Sequence, residues 1–393
     1  MSLPNVNISL ANGQLGTLAA PTDAIAGMVL TGASEGTIST NTPFQINSLQ
    51  EAANLGLTTT NNAFAYKQIK EFYDEAPTGT ALYLMLAPAT QKVNQLADKT
   101  NSNGAIKLLN YAAGSIRLLG VLCDDVQVYG SSLQAGNANG INADCYTAIA
   151  NMQVLATQFF QAQTPFRAII GGSSFNGNAN ALNNMTQNNY NRVACLIGDT
   201  QSGPSAAIGL LLGNLCGLPV QRKVSRVKNG AITSTTAYIG SSAAEQFSNP
   251  DMLYDKGFIS FRTFAGKSGY YFSSDATCCS QSDDYACLAR GRVIDKAQRI
   301  AYALFVNEVD NEVLINADGT LDAGYTKCLE QSISNLLNLS MTATHQISAV
   351  QAFIDSAQNV LANNMIQVVL KITPVGYSSD IEIQLGFTNP ANA

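Results

Sequence analysis

Charge is scarce in this chain of 393 residues, of which only 12% are Asp, Glu, Lys or Arg, about half the share usual in a globular domain. Net charge is −6, with Lys and Arg scattered rather than gathered into a basic patch, so nucleic acid is not an expected partner. A surface this weakly charged repels its own copies little; it suits a protein whose faces are covered by neighbours, and it also occurs in secreted proteins. Histidine is rarer still. His345 is the single one, which excludes multi-histidine metal sites and leaves one imidazole for any Ser-His or Cys-His arrangement. It precedes an apolar-periodic stretch, either as a partly buried polar residue or as an interface group.

Long apolar runs are also missing. The nearest, residues 208–218, is interrupted by Gly and Asn and is too short to span a bilayer. No charged stretch followed by an apolar core opens the sequence, so the expectation is a soluble protein made in a cytosol, without direct membrane insertion. Eight cysteines show no CxxC spacing. Cys123, Cys195 and Cys216 sit in apolar runs, as buried thiols do. The adjacent pair Cys278-Cys279 suits neither a disulfide scaffold nor zinc.

What is present is an α/β alternation. Continuous apolar segments at 26–31, 81–86, 116–123, 166–170 and 192–197 alternate with helical patterns at 91–109, 144–161 and 205–216. Such segments predict an open, partly parallel sheet with helices on both faces over about residues 25–220. Residues 221–365 read as a second domain, with a hairpin of 258–264 and 270–273 and then helices. Val293, Ala297, Ile300 and Leu304 recur at helical spacing within residues 284–308, and so do Ile347, Val350, Ile354, Ala357 and Leu361.

Two alternating stretches end the chain. Ile366, Val368, Leu370 and Ile372, then Ile381, Ile383, Leu385 and Phe387, flank Pro374-Val375-Gly376-Tyr377, and predict a hairpin over 366–393. A hairpin alone is marginal in water and needs a further partner. Val6, Ile8 and Leu10 alternate in the same way before Asn12-Gly13, and a linker rich in Gly, Thr, Ala and Pro follows to residue 24.

Motifs that suggest chemistry fall short of it. Gly266-Lys267-Ser268 has Phe261 where a phosphate loop needs its first Gly, and an aromatic strand pattern follows instead of a helix. Gly171-Gly172-Ser173-Ser174 and Gly198-Asp199-Thr200 lack the dinucleotide fingerprint. Asp124-Asp125 and Asp283-Asp284 have no matching ligand set, and no Gly-x-Ser-x-Gly occurs. Neither enzyme activity nor a cofactor is expected. Arg290, Arg292, Asp295, Lys296 and Arg299 concentrate charge on one helix, with Asp295 and Arg299 four apart. They form either a solvated face with a local ion pair or a contact with a neighbouring subunit.

Leu3-Pro4-Asn5-Val6-Asn7-Ile8, followed by Gly27-Met28-Val29-Leu30-Thr31-Gly32, resembles the start of phage tail sheath proteins of prophages and contractile injection systems. Residues 292–301 (RVIDKAQRIA) are similar to the long helix of the sheath core, and residues 369–377 (VLKITPVGY) with Ile381-Glu382-Ile383 to its C-terminal hairpin. The resemblance implies a sheath core of mixed sheet and helices built from the N- and C-terminal parts, with an inserted α/β domain facing outward. It also implies that terminal arms lend strands to neighbouring subunits, through Val6, Ile8, Leu10, Val368, Leu370, Ile372, Ile381, Ile383 and Leu385. The charged helix would then face an inner tube or an adjacent subunit. Partners so implied are further copies in stacked rings, an inner tail tube protein, and baseplate and tail terminator proteins, in a virion tail or injection particle assembled in a bacterial cytoplasm. A non-contractile particle protein and an α/β enzyme are the alternative readings.

Overall fold

The computed structural model describes residues 23–130 and 139–387; Val6, Ile8 and Leu10 lie outside them. The chain packs as two compact units, one to Val306 and one from Asn307.

In the first unit the continuous apolar segments become strands buried on both faces. Strands β1 (Ala26–Gly32), β2 (Phe44–Ile46), β3 (Leu82–Pro88), β4 (Leu118–Leu122), β5 (Arg167–Gly171) and β6 (Val193–Leu196) form one sheet in the order β2-β3-β1-β4-β5-β6. Only β2 runs antiparallel to its neighbour β3; the other pairings are parallel. The winding therefore reverses between β1 and β4, where Met28 lies between Leu84 and Gly120. The architecture is the mixed α/β one that the alternation implied.

Helices α1 (Ala63–Glu75), α2 (Ala143–Gln161) and α3 (Ile208–Gly217) flank this sheet. Helix α3 is the interrupted apolar run, and its interruptions have a packing reason. A Cβ on Gly209 would lie 1.9 Å from the Gln68 carbonyl oxygen, and one on Gly213 would lie 2.3 Å from that of Phe72. Glycine at four-residue spacing thus lets α3 press against the backbone of α1. Gln68 is fully buried at that crossing, yet both ends of its amide are satisfied: Nε2 donates to Ala206 O at 3.0 Å and Oε1 accepts from Gly209 N at 2.9 Å.

The expected break near residue 220 is absent. Val224, Ile232, Ile239, Phe247, Phe258, Phe261 and Phe272 are buried in the same core as the sheet, and Ile259 extends the sheet beside Leu196. These apolar residues are spread thinly through a polar stretch, so composition conceals that they share one core. The hairpin of Phe261–Arg262 with Tyr271–Phe272 forms as expected. Helix α4 (Leu288–Phe305) closes the first unit.

In the second unit, α5 (Ala323–Leu337) starts at Asp322, whose carboxylate accepts from Tyr325 N at 2.9 Å. It packs with β7 (Ile347–Phe353), which pairs antiparallel with β8 (Val369–Pro374). Two expectations are corrected here. Residues 347–361 do not form a helix: His345 at φ 55° ends the preceding turn. From there Val350, Ala352 and Ile354 turn inward at a period of two while Ala349, Gln351 and Phe353 are exposed. The expected terminal hairpin is not made either, because β8 pairs with β7, Val350 opposite Ile372 and Ala352 opposite Leu370, leaving residues 381–387 without a ladder partner among the described residues. A cross-strand partner about twenty residues away has overridden the local pattern.

Candidate functional site

The charges of α4 mostly turn inward. Asp295 is 3% exposed and lies between two buried arginines of the sheet region, Arg167 and Arg192. Arg167 grips it with both prongs, Nε to Oδ2 at 2.7 Å and Nη2 to Oδ1 at 2.9 Å, and Arg192 Nη2 reaches Oδ1 at 2.8 Å. Gly291 makes room for this, since a Cβ there would meet the Arg167 guanidinium carbon at 2.4 Å. Arg167 Nη2 also donates to Gly291 O at 3.0 Å, and Arg192 stacks on the Phe160 ring at 4.3 Å. Burial, and after it the like charge of Arg167, pushes the Arg192 guanidinium down to about 10.

The other charges of the helix are also engaged within the chain. Arg292 is buried, its Nη2 donating to Leu218 O at 3.0 Å. Lys296 Nζ lies 2.6 Å from Asp23 Oδ2, and Arg299 Nη2 binds the other oxygen of the same carboxylate. Asp23 precedes β1, so this clamp fixes to α4 the point where the chain enters the sheet. Arg290 is half-buried. A charged face turned to a neighbour therefore does not describe Arg292 or Asp295, and the expected Asp295-Arg299 pair is not formed. A buried carboxylate takes the strongest donors within reach, and those come from the sheet. The overlooked signal was Arg167, a charge at the head of an otherwise apolar strand.

Just ahead of α4, Asp275 is fully enclosed and accepts from Ala289 N at 2.9 Å and Val224 N at 3.5 Å. Burial outweighs those bonds and pushes its carboxyl up to about 6. A raised folded-state value means that the folded chain binds the proton more tightly, so this group's contribution to stability falls as pH rises from about 4 to about 6. Asp275→Asn keeps an acceptor for Ala289 and does not ionise. Urea melts at pH 4 and pH 7 are expected to move in favour of the variant, relative to wild type, by up to about 3 kcal/mol. An unchanged difference between the two pH values would refute this assignment.

At the strand ends where a doubly wound sheet takes ligands, the polar groups bond to one another. Across the β1/β4 switch, Asp124 N donates to Thr31 Oγ1 at 2.8 Å. Asp125 is buried and accepts from Ser174 Oγ at 2.5 Å, Asn142 Nδ2 at 3.3 Å and Cys123 Sγ at 3.3 Å. Beyond β6, Asp199 pairs with Lys67, and Thr200 Oγ1 donates to Glu71 at 2.5 Å. Gly266-Lys267-Ser268 is the turn of the aromatic hairpin, and Cys278-Cys279 is a buried strand paired with Tyr190 and Asn189. No helix among the described residues is long and apolar enough to cross a membrane.

The second unit offers surface instead. Its sheet has two strands among the described residues, with Val368, Leu370 and Ile372 half-buried. The extended stretch that follows bears Ile381, Ile383, Leu385 and Phe387, exposed by 77%, 73%, 93% and 111%. Four large apolar side chains thus stand exposed at alternate positions on a segment without a ladder partner among the described residues. His345 is exposed in the turn before β7.

Comparison with solved structures returns the same fold. A chain of the anti-feeding prophage baseplate superposes with a TM-score of 0.63 at 15% identity, over 99% of this chain and 100% of that one. A chain of the anti-feeding prophage helical sheath in the contracted state gives 0.61 at 14% identity, over 98% and 99%. One from the contracted sheath complex of the extracellular contractile injection system PVC gives 0.61 at 14%, over 100% and 99%. No curated protein matches in sequence. The fold is thus the sheath-like one that the terminal motifs resembled. The DUF2586 N-terminal domain matches residues 3–276, well over half of the chain, and the DUF2586 C-terminal domain matches residues 284–392; the chain belongs to the DUF2586 family.

Proposed function

We propose that this chain is the repeating subunit of a contractile sheath, polymerising in stacked rings around an inner tube and shortening to drive that tube through a target envelope. The observation that carries the reading is the exposed segment from Ile381 to Phe387, with apolar residues at alternate positions, following a sheet that has two strands among the described residues. Such a segment completes a sheet in another copy by strand addition, with Val6, Ile8 and Leu10 as the corresponding strand at the other terminus and Val368, Leu370 and Ile372 on the receiving ribbon. Low surface charge supports close packing of identical subunits. Shortening then draws on energy stored when the extended lattice forms, without a nucleotide or other cofactor. An inner tube protein, baseplate and terminator are the partners, in a tail or injection particle assembled in a bacterial cytoplasm. Arg290, Lys296 and Arg299 are the α4 charges on which an inner-tube or intersubunit contact is to be tested.

Deleting residues 1–20 is expected to leave a folded, soluble monomer that no longer polymerises. Negative-stain images should show wide striated tubes for the full chain and none for the deletion. Normal tubes from the deletion would refute strand exchange at the N-terminus, and discrete particles from the full chain would favour a non-contractile particle protein.

A further inference from the structure

Next to the Asp295 cluster is a cavity of about 10 Å³, lined by Asp23, Arg117, Val220, Arg292, Asp295 and Arg299. That is room for one water or one monatomic ion. Arg292, 4% exposed, satisfies Nη2 at Leu218 but leaves Nη1 without a partner. Arg117 donates from Nη1 to Gly114 O, and its buried Nε has no partner either. Two guanidinium nitrogens are therefore unanswered in a place where each is costly to leave so.

The acids in the lining do not answer them. Asp295 accepts from both Arg167 and Arg192, and Asp23 holds Lys296 and Arg299. Six cations, Arg117, Arg167, Arg192, Arg292, Lys296 and Arg299, thus stand near two carboxylates that bond only four of them, with Asp275 the next acid acting on Arg292. Burial and then the charge of Arg299 push Arg117 down to about 10, as expected where positive charge is under-compensated. Asp23 has acceptor sites left over for the protons of a water, so the excess of buried positive charge, rather than proton placement, is what favours an anion here.

We propose that this cavity binds a single small monovalent anion of the chloride class, which completes the arginine cluster holding α4 and the entry to β1 together. The test uses the full-length protein at constant pH and ionic strength in sodium chloride, sodium bromide or sodium gluconate, the last anion being too large for the cavity. Chloride and bromide are expected to raise the Tm saturably, by about 3 °C over gluconate, and bromide-grown crystals to show an anomalous peak among Arg117, Arg292 and Arg299. Arg292→Met should lose the anion-specific rise; if it does not fold, the wild-type bromide data decide alone. No peak means water only and overturns the proposal. A peak with equal Tm in all three salts means an adventitious ion only and overturns it equally.

Discussion

Replacing Asp295 with Ala lowers the unfolding free energy of the first unit by about 3–5 kcal/mol, because two buried guanidiniums lose their shared carboxylate at once. Against a total of roughly 5–15 kcal/mol for a folded domain, that loss brings the unit close to unfolding at ambient temperature. Guanidinium titration followed by tryptophan-independent signals such as far-UV circular dichroism measures it, since the chain contains no Trp. Asp284→Ala, at an exposed position just ahead of the helix, serves as the control and should stay within about 0.5 kcal/mol. Replacing Arg167, Arg192 and Asp295 together by apolar residues of similar size is expected to recover much of the loss, since the penalty comes from stranded charge rather than from missing attraction. A loss below about 1 kcal/mol for Asp295→Ala would mean that water reaches the arginines and the cluster is not a closed one.

Removing residues 378–393 has the opposite profile, with a large effect on assembly and little on folding. Ile381, Ile383, Leu385 and Phe387 contribute almost nothing to the core of an isolated subunit, being exposed by 73% or more. Burying four such side chains in a neighbour is worth roughly 6–12 kcal/mol before the cost of ordering the strand. The truncated chain is expected to keep its Tm within about 2 °C and to sediment as a monomer under conditions where the full chain forms tubes. Ile383→Ser with Leu385→Ser, which keeps the backbone and removes half of the apolar payload, should raise the concentration needed for assembly by at least tenfold. Tubes from the truncated chain at wild-type concentration would rule out this segment as an exchanged strand.

The parts of the molecule that were legible in the sequence are those where local pattern and tertiary environment agree. Met28 to Leu30, Leu118 to Leu122 and Ala168 to Ile170 are apolar at every position, and only a strand covered on both faces uses such a run. Helix α4 was equally plain, because Val293 and Ala297 recur on its buried side. Residues 347–361 misled because Ile347, Val350 and Ile354 fit helical spacing, and only a register shift between Ile347 and Ala349 reconciles them with a strand; pairing with residues 369–374, about twenty residues on, decided the matter. The Asp295 cluster was hidden for a related reason. Its three members come from β5, the residue just ahead of β6, and α4, and no spacing rule connects positions more than a hundred residues apart. Only the oddity of Arg167 beside Phe166 and Ala168 marked the spot.

The Asp23 clamp determines how the molecule meets a pull. Tension arriving through the chain ahead of Asp23 passes first into the Lys296 and Arg299 pairs and then lengthwise along β1. That strand is flanked on both sides by parallel neighbours, β3 and β4, so its hydrogen bonds lie across the load and resist together instead of opening one after another like a zipper. A pull from that end would therefore load the sheet in shear.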